Sequence, residues 1–471
     1  MGLNKRINKL CGRRTIFYAL LAFMLMLGFP RSLRAQQPVF KKGDRVCFVG
    51  NSITYNGGFF HQIALYYATR YPDMDLEMIN CGVPGNVAAQ VIARMDSDIL
   101  ANKPTICVLK LGMNDVDKTL YTKQAGAEPG IEARRQQALD TYQKNYESII
   151  QTLLKYCGRV ILQTPTIYDE TAALADVRLP GRNHALKKCA AIVKEFGVKY
   201  NLKVVDYWGP MDEIGRKYQQ ADSTRTIIGP DRVHPGAMGH FIMAYEFLKS
   251  TEFRQEVSSL QLSAVHLTGP VQVNGMVTAI QYQDGGISFN WKEGALPFPV
   301  ADDAKPALEL VPFIPELNRE NLKVTGLKAG NYQILVDGKQ AGTYSGTQLS
   351  AGINLSQNSH TPQYAQSVRL LGLFQELWQL ESKVRYVRAL EAGRMRARNY
   401  SVAGAEDFFA KQITAAKDTT TTAYKNLLSF QKDYMPVKRQ QADMILKMKA
   451  LHGQIYVENK PVAHHYEIIK Q

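Results

Sequence analysis

One rhythm constrains this chain more than any other feature: from Lys41 to about Glu252, short apolar runs alternate with amphipathic segments of helical length. Arg45–Val49, Leu76–Asn80, Ile106–Leu111, Val160–Gln163 and Lys203–Val205 are expected as strands. Phe59–Arg70, Val87–Leu100, Ala133–Tyr156, Asn183–Phe196 and Gly236–Ser250 are expected as helices. Strands separated by helices imply a parallel sheet covered on both faces, so this region reads as an α/β domain.

From about Leu260 the rhythm changes to polar–apolar alternation, as in Ile287-Ser288-Phe289-Asn290-Trp291. Tyr332–Val336, Asp337-Gly338 and Lys339–Tyr344 predict a hairpin, because Asp-Gly suits the positive φ angles of a tight turn. This is expected to be a small β module. After Asn358–Pro362, Leu370, Leu373, Leu377, Leu380, Val384 and Val387 recur at spacings of three and four, the packing face of a helix. The neighbouring charges Lys383, Arg385 and Arg388 read as a solvated face rather than a nucleic-acid stripe. Thr419–Thr422 and Pro436 read as breaks, and Pro461–Ile469 as extended. The expected division is a leader over residues 1–35, an α/β domain over 36–258, a β-rich module over 259–357 and a helical region over 358–471. No Gly/Ser- or Pro-rich linker follows Glu252, so the second half is expected to be part of the folded body.

Composition narrows the function classes. With 471 residues, 45% hydrophobic and 21% charged, the chain reads as a globular protein of several domains, not a collagen, coiled coil or polytopic membrane protein. The formal charge of +15 suggests nucleic acid or an anionic membrane until it is located. Seven Lys and Arg and no acid lie in Met1–Ala35, and 17 basic against 10 acidic residues follow from Ala351 onward, so the remainder is near neutral. No nucleic-acid partner is expected. The basic start, the apolar run Thr15–Phe29 and Ser32-Leu33-Arg34-Ala35 read as a secretory signal peptide cleaved after Ala35, with an uncleaved anchor as the alternative. That run falls short of the roughly 20 residues of a membrane span, so an exported protein, periplasmic or extracellular, is expected. An odd set of five cysteines remains, Cys47, Cys81, Cys107, Cys157 and Cys189, and these read as free thiols. With no C-x-x-C or H-E-x-x-H motif, neither a metal nor a cofactor is expected.

Four blocks carry chemistry, each where a strand of the first region ends, which is where open α/β sheets bind ligands. Gly50-Asn51-Ser52-Ile53-Thr54 puts a serine on a strand-to-helix turn, as a nucleophile or as an ordinary N-cap. Asn80-Cys81-Gly82-Val83-Pro84-Gly85-Asn86 offers, at Gly85, an N–H that a substrate can approach closely, or a plain loop glycine. Leu111-Gly112-Met113-Asn114-Asp115 brings an amide that can bind an oxyanion or form an Asx-turn. Asp231-Arg232-Val233-His234-Pro235 spaces a carboxylate to orient an imidazole through Nδ1 and leave Nε2 to accept a proton. His184 and His240, on helices, read as structural.

In this order, Ser52, Gly85, Asn114 and Asp231-x-x-His234 resemble the SGNH hydrolases, the GDSL-like lipases, esterases and acylhydrolases, over about Lys41–Ser250. The resemblance implies a flavodoxin-like three-layer α/β/α domain. It implies Ser52 as nucleophile, Gly85 and Asn114 as oxyanion donors beside the Ser52 N–H, His234 as base and Asp231 as its orienter. Asn51 departs from the family's usual Asp, and the absence of Gly-x-Ser-x-Gly argues against an α/β-hydrolase elbow. Leu327–Tyr332 and Val336–Lys339 resemble the C-terminal part of a bacterial subgroup. The expected function is an exported serine esterase acting on short acyl groups, acetyl above all, of glycans, with Tyr55, Asn56, Tyr168 and Trp208 placed to flank a sugar. The alternatives are a lipase or thioesterase, a glycan-binding protein, and a glycosidase using Asp115 and Asp231.

Overall fold

The structure, a computed structural model, describes residues 38–251, 256–265, 269–283, 285–395 and 400–471; the leader expected over residues 1–35 lies outside them. Strands β1 (Arg45–Gly50), β2 (Glu77–Gly82), β3 (Ile106–Lys110), β4 (Val160–Gln163) and β5 (Lys203–Val205) form one sheet in the order β2-β1-β3-β4-β5, parallel throughout. That order is the flavodoxin-like one, with its topological switch beside β1. The central strands are buried along their length, as Ile106–Lys110 is, because helices cover both faces.

The covering helices are α1 (Ser52–Asn56), α2 (Gly58–Arg70), α3 (Ala88–Ala93), α4 (Ile131–Cys157), α5 (Arg182–Lys199), α6 (Trp208–Gln219) and α7 (Ala237–Thr251). Phe60 of α2 stacks on Phe48 of β1 with ring centroids 4.6 Å apart. Tyr146 of α4 stacks on Phe196 of α5 and donates its hydroxyl to Leu109 O. The expected helix over Val87–Leu100 is α3 followed by a π turn over Met95–Ile99 and a 3₁₀ turn over Leu100–Asn102. Of the five cysteines all are free, four of them buried.

The β module holds two sheets. β6 (Glu256–Ser263), β7 (Val271–Val273), β10 (Arg319–Thr325) and β13 (Ile353–Asn354) make one, in the order β13-β10-β6-β7. β8 (Gly275–Gln283), β9 (Gly286–Glu293), β11 (Asn331–Val336), β12 (Lys339–Ser345) and β14 (Ala463–Lys470) make the other, in the order β12-β11-β14-β9-β8. The β11–β12 turn has positive φ at both Asp337 and Gly338, as its sequence predicts. The C-terminal strand β14 pairs antiparallel with both β11 and β9, so the chain end lies in the middle of this sheet. One core, including Leu260, Phe289, Val324, Ile334 and Tyr466, joins the two sheets.

The tail consists of α8 (Pro362–Gly393), α9 (Val402–Ala415) and α10 (Thr422–Glu458). Pro436 does not break the helix: it sits inside α10. A proline there costs roughly 3 kcal/mol of helix propensity. Tyr434 and Met435, buried with Phe409 and Val387, pack that stretch against α8 and α9 and offset the cost. α10 also grips the first domain: Tyr456 Oη accepts from Leu76 N at 3.1 Å, and Asn459 Nδ2 donates to Ala68 O at 2.9 Å. Arg385 corrects the expected solvated face, being only 2% exposed and paired with Asp98. Among the described residues no helix is long and apolar enough to cross a membrane.

Candidate active site

The carboxyl ends of β1, β2 and β3 converge, and close packing of their turns depends on glycine. A Cβ on Gly50 would lie 2.2 Å from Thr54 Oγ1, and one on Gly82 would lie 2.1 Å from Tyr55 N. α1 therefore seats directly against the end of β2. Asn51 caps α1, its Oδ1 accepting from Ile53 N at 3.2 Å, and Ser52 is the first helical residue. Asn80 ties the two turns together, accepting from Gly82 N and donating to Tyr55 O, both at 3.0 Å.

Gly85 has φ +78° and is exposed, a left-handed conformation that glycine adopts without penalty. Asn114 Nδ2 donates to Asn86 O at 3.1 Å; an amide carries two such protons, so this bond orients the group and leaves it a second donor. Asp115 locks the same two loops, its Oδ1 accepting from Ala88 N at 2.7 Å and its Oδ2 from Gly112 N at 3.0 Å. Burial pushes its carboxyl up to about 6.

The Asp231–His234 loop arrives from the other side. His234 Nε2 lies 2.7 Å from Ser52 Oγ, and its Nδ1 lies 2.5 Å from Asp231 Oδ2. Asp231 Oδ1 accepts from Val233 N and His234 N, each at 3.0 Å. Burial opposes ionisation of Asp231, but the His234 ring and these two amides hold its carboxyl below the ordinary range. Arg232, between them, has φ +62° and turns inward, where its guanidinium donates to the carbonyls of Asp169, Ala172, Leu174 and Asp176 at 2.9–3.0 Å. Its side chain nails the loop to the 169–176 segment. Nothing in the sequence marked Arg232 for this, because all four acceptors are main-chain atoms more than 50 residues away.

Ser52, at the first turn of α1, and Gly85, Asn114, Asp231 and His234, on loops, thus sit at one end of the sheet. His240 lies elsewhere, buried on α7 against Gly58 and Phe59, with neither ring nitrogen hydrogen-bonded; burial pushes it down to about 3. His184 is exposed on α5. Of the residues expected to flank a sugar, Tyr168 is ruled out: it is 1% exposed, and its hydroxyl bonds Val177 O and Leu179 N. Trp208 is half-buried with its indole N–H on Asn183 Oδ1, Tyr55 is half-buried and Asn56 is exposed. A cavity of about 640 Å³ lies between α2, the β2 edge and α8 and α10, lined by Phe60, His61, Phe374, Trp378, Glu381 and Met448 among others, but not by Ser52 or His234. No cluster of three or more His, Cys, Asp or Glu suited to a metal occurs among the described residues.

Residues 46–247 match the family described as GDSL-like Lipase/Acylhydrolase. An acetylxylan esterase of Geobacillus stearothermophilus is 26% identical over 226 residues, which are 45% of this chain and 95% of that protein. A solved structure of a gut microbial diltiazem-metabolizing enzyme superposes with a TM-score of 0.82 at 28% identity, covering 93% of this chain and 99% of that one. The second likeness therefore extends through the β module and the tail.

Proposed function

From the premise that residues 46–247 belong to the GDSL-like lipase/acylhydrolase family, a family of hydrolases, we propose that this chain is an exported serine esterase that removes short acyl groups, acetyl above all, from carbohydrate. The observation that carries the reading is the unbroken line from Asp231 Oδ2 through the His234 ring to Ser52 Oγ, at 2.5 and 2.7 Å. Ser52 Oγ attacks the ester carbonyl as His234 Nε2 takes its proton. The tetrahedral oxyanion is met by the N–H groups of Ser52 and Gly85 and by the second amide proton of Asn114. His234 then gives its proton to the departing alcohol oxygen, and a water molecule repeats the sequence to free the acid. Asp231, held ionised, keeps the ring in the tautomer with Nε2 free and stabilises the imidazolium that forms.

Short acyl groups on a carbohydrate are favoured by two further observations. His234 and Asp231 are 45% and 48% exposed, so an ester carried on a bulky polymer can reach Ser52. The acetylxylan esterase matches over 95% of its own length. A lipase reading is weakened because the 640 Å³ cavity, large enough for a long acyl chain, is not lined by Ser52 or His234. A glycosidase reading is weakened because both oxygens of Asp115 are engaged by main-chain amides. Export rests on the composition of Met1–Ala35.

The test is incubation with acetylated xylan, measuring released acetate and reducing sugar, alongside p-nitrophenyl acetate against the decanoate. Acetate release without reducing sugar, and preference for the acetyl ester, are expected. Reducing sugar without acetate, or preference for the decanoate, would overturn the substrate reading.

A further inference from the structure

We propose that Arg385 of the tail is a positioning residue for the oxyanion donors, so that the hydrolase domain's site is completed by a helix 303 residues beyond the loop it holds. The inference rests on the serine esterase reading and extends it to the tail.

Arg385 is 2% exposed and makes three bonds. Its Nε donates to Gly82 O at 2.8 Å, and its Nη1 and Nη2 clasp Asp98 at 2.7 and 2.8 Å. Asp98 also takes Arg94 Nη1 at 2.5 Å, and Arg94 reaches onward to Asn86 Oδ1 at 2.7 Å and Gly50 O at 3.1 Å. These acceptors frame the site. Gly50 O belongs to the residue preceding Asn51-Ser52. Gly82 and Asn86 bracket the loop that carries Gly85, and Asn86 O holds the Asn114 amide. All three oxyanion donors are therefore within a few bonds of an atom fixed by this cluster.

The tail's contribution follows from the sheet. β2 is an edge strand, so its outward carbonyls have no strand partner, and Arg385 supplies one at the last of them. Beyond Gly82 the loop passes through a left-handed glycine with no side chain to pack, so the bonds at its two ends set where the Gly85 N–H points. Arg94 holds the Asn86 side chain at the far end, beside the Asn114 bond to Asn86 O, and it is itself oriented by the carboxylate that Arg385 grips from the other side. A planar fork with donors on two sides fits this task, and a lysine does not.

The experiment uses the full chain and p-nitrophenyl acetate. Arg385→Met should lower kcat about 10- to 100-fold with KM within about twofold, because a small displacement of an oxyanion donor is felt only in the transition state. Gln366→Leu removes two bonds at the opposite end of α8, to Glu458 O at 2.7 Å and Lys460 O at 2.9 Å, and should lower the melting temperature with kcat unchanged. Arg385→Lys should show an intermediate kcat, and it carries the test if Arg385→Met does not fold. Wild-type kcat in Arg385→Lys and Arg385→Met, or an equal kcat loss in Gln366→Leu at a similar fall in melting temperature, would overturn the inference. Ser52→Ala is assayed beside them: if it is inactive while the Arg385 variants keep full kcat, only this inference fails. If Ser52→Ala keeps its activity, the serine esterase reading fails and takes the inference with it.

Discussion

Two acid–base clusters lie at the same end of the parallel sheet and are built from similar side chains for opposite ends. The Asp231–His234 pair is nearly half exposed. The Arg94–Asp98–Arg385 cluster is 2–5% exposed. Even a fully charged pair at such exposure contributes little to stability, typically about 0–1 kcal/mol, so the first pair adds little to the fold. Its His234 Nε2 is turned to Ser52 Oγ, 2.7 Å away. The second is saturated: the Asp98 carboxylate takes three charged N–H donors, and Arg385 and Arg94 more than offset the burial that would otherwise raise its pKa, keeping the carboxyl below the ordinary range. The contrast fits the proposed division of labour, in which the accessible pair carries the reactivity and the buried one the geometry.

Substitutions can separate these two roles. Ser52→Ala and His234→Ala should each lower kcat by about 10³-fold or more, with unfolding curves unchanged, because the proposed mechanism uses them as one nucleophile–base unit. More than a tenth of wild-type activity in purified Ser52→Ala would break the distinction. Asp98→Ala should lower stability by about 3–5 kcal/mol by stranding two buried arginines, as denaturant melts would record, where the Ser52 and His234 variants leave it unchanged. Asn114→Ala should lower kcat about 10²-fold at little change in KM, the loss of one donor costing roughly 3 kcal/mol in the transition state alone. A lowered melting temperature with kcat intact would make Asn114 a turn-former only.

The smallest effect concerns a buried pair of carboxyls in the β module, Glu293 and Glu320. Burial pushes the Glu320 carboxyl up to about 7, and burial together with Glu320 raises Glu293 well above the carboxylate range. Between an unfolded value of about 4.3 and the folded value, the folded chain holds a proton that the unfolded chain has lost. Stability should therefore fall as pH rises through this window, the Glu320 share of the slope ending near 7 and that of Glu293 continuing above it. Glu320→Gln should flatten that slope in melting temperatures taken from pH 4.5 to 7.5; an unchanged slope would remove Glu320 as its source.

Much of the first domain was legible because its apolar runs are local: five runs became five strands in chain order, and the chemistry-bearing blocks lay at their ends. Ser52, Gly85, Asn114 and the Asp231–His234 pair could be singled out because the order of their four blocks resembles the SGNH hydrolases, whereas Ser52, Gly85 and Asn114 read alone left an N-cap, a loop glycine or an Asx-turn open. Their supports were hidden. Arg385 stands between Lys383 and Arg388 on a helix and looks like one more solvated charge, while its partner Asp98 is 287 residues away. Pro461–Ile469 could be read as extended, but the place of β14 between β9 and β11 is a matter of long-range pairing. Pro436 misled because local propensity favours a break where tertiary packing keeps the helix.

The central claim, that Ser52 is the nucleophile of an esterase, is tested most directly by treating the full chain with a fluorophosphonate and locating the adduct by peptide mass mapping. The account predicts a single stoichiometric adduct on Ser52 that forms in step with loss of p-nitrophenyl acetate hydrolysis and is absent from His234→Ala. Complete inactivation with Ser52 unmodified, or with the adduct on another residue, would contradict it.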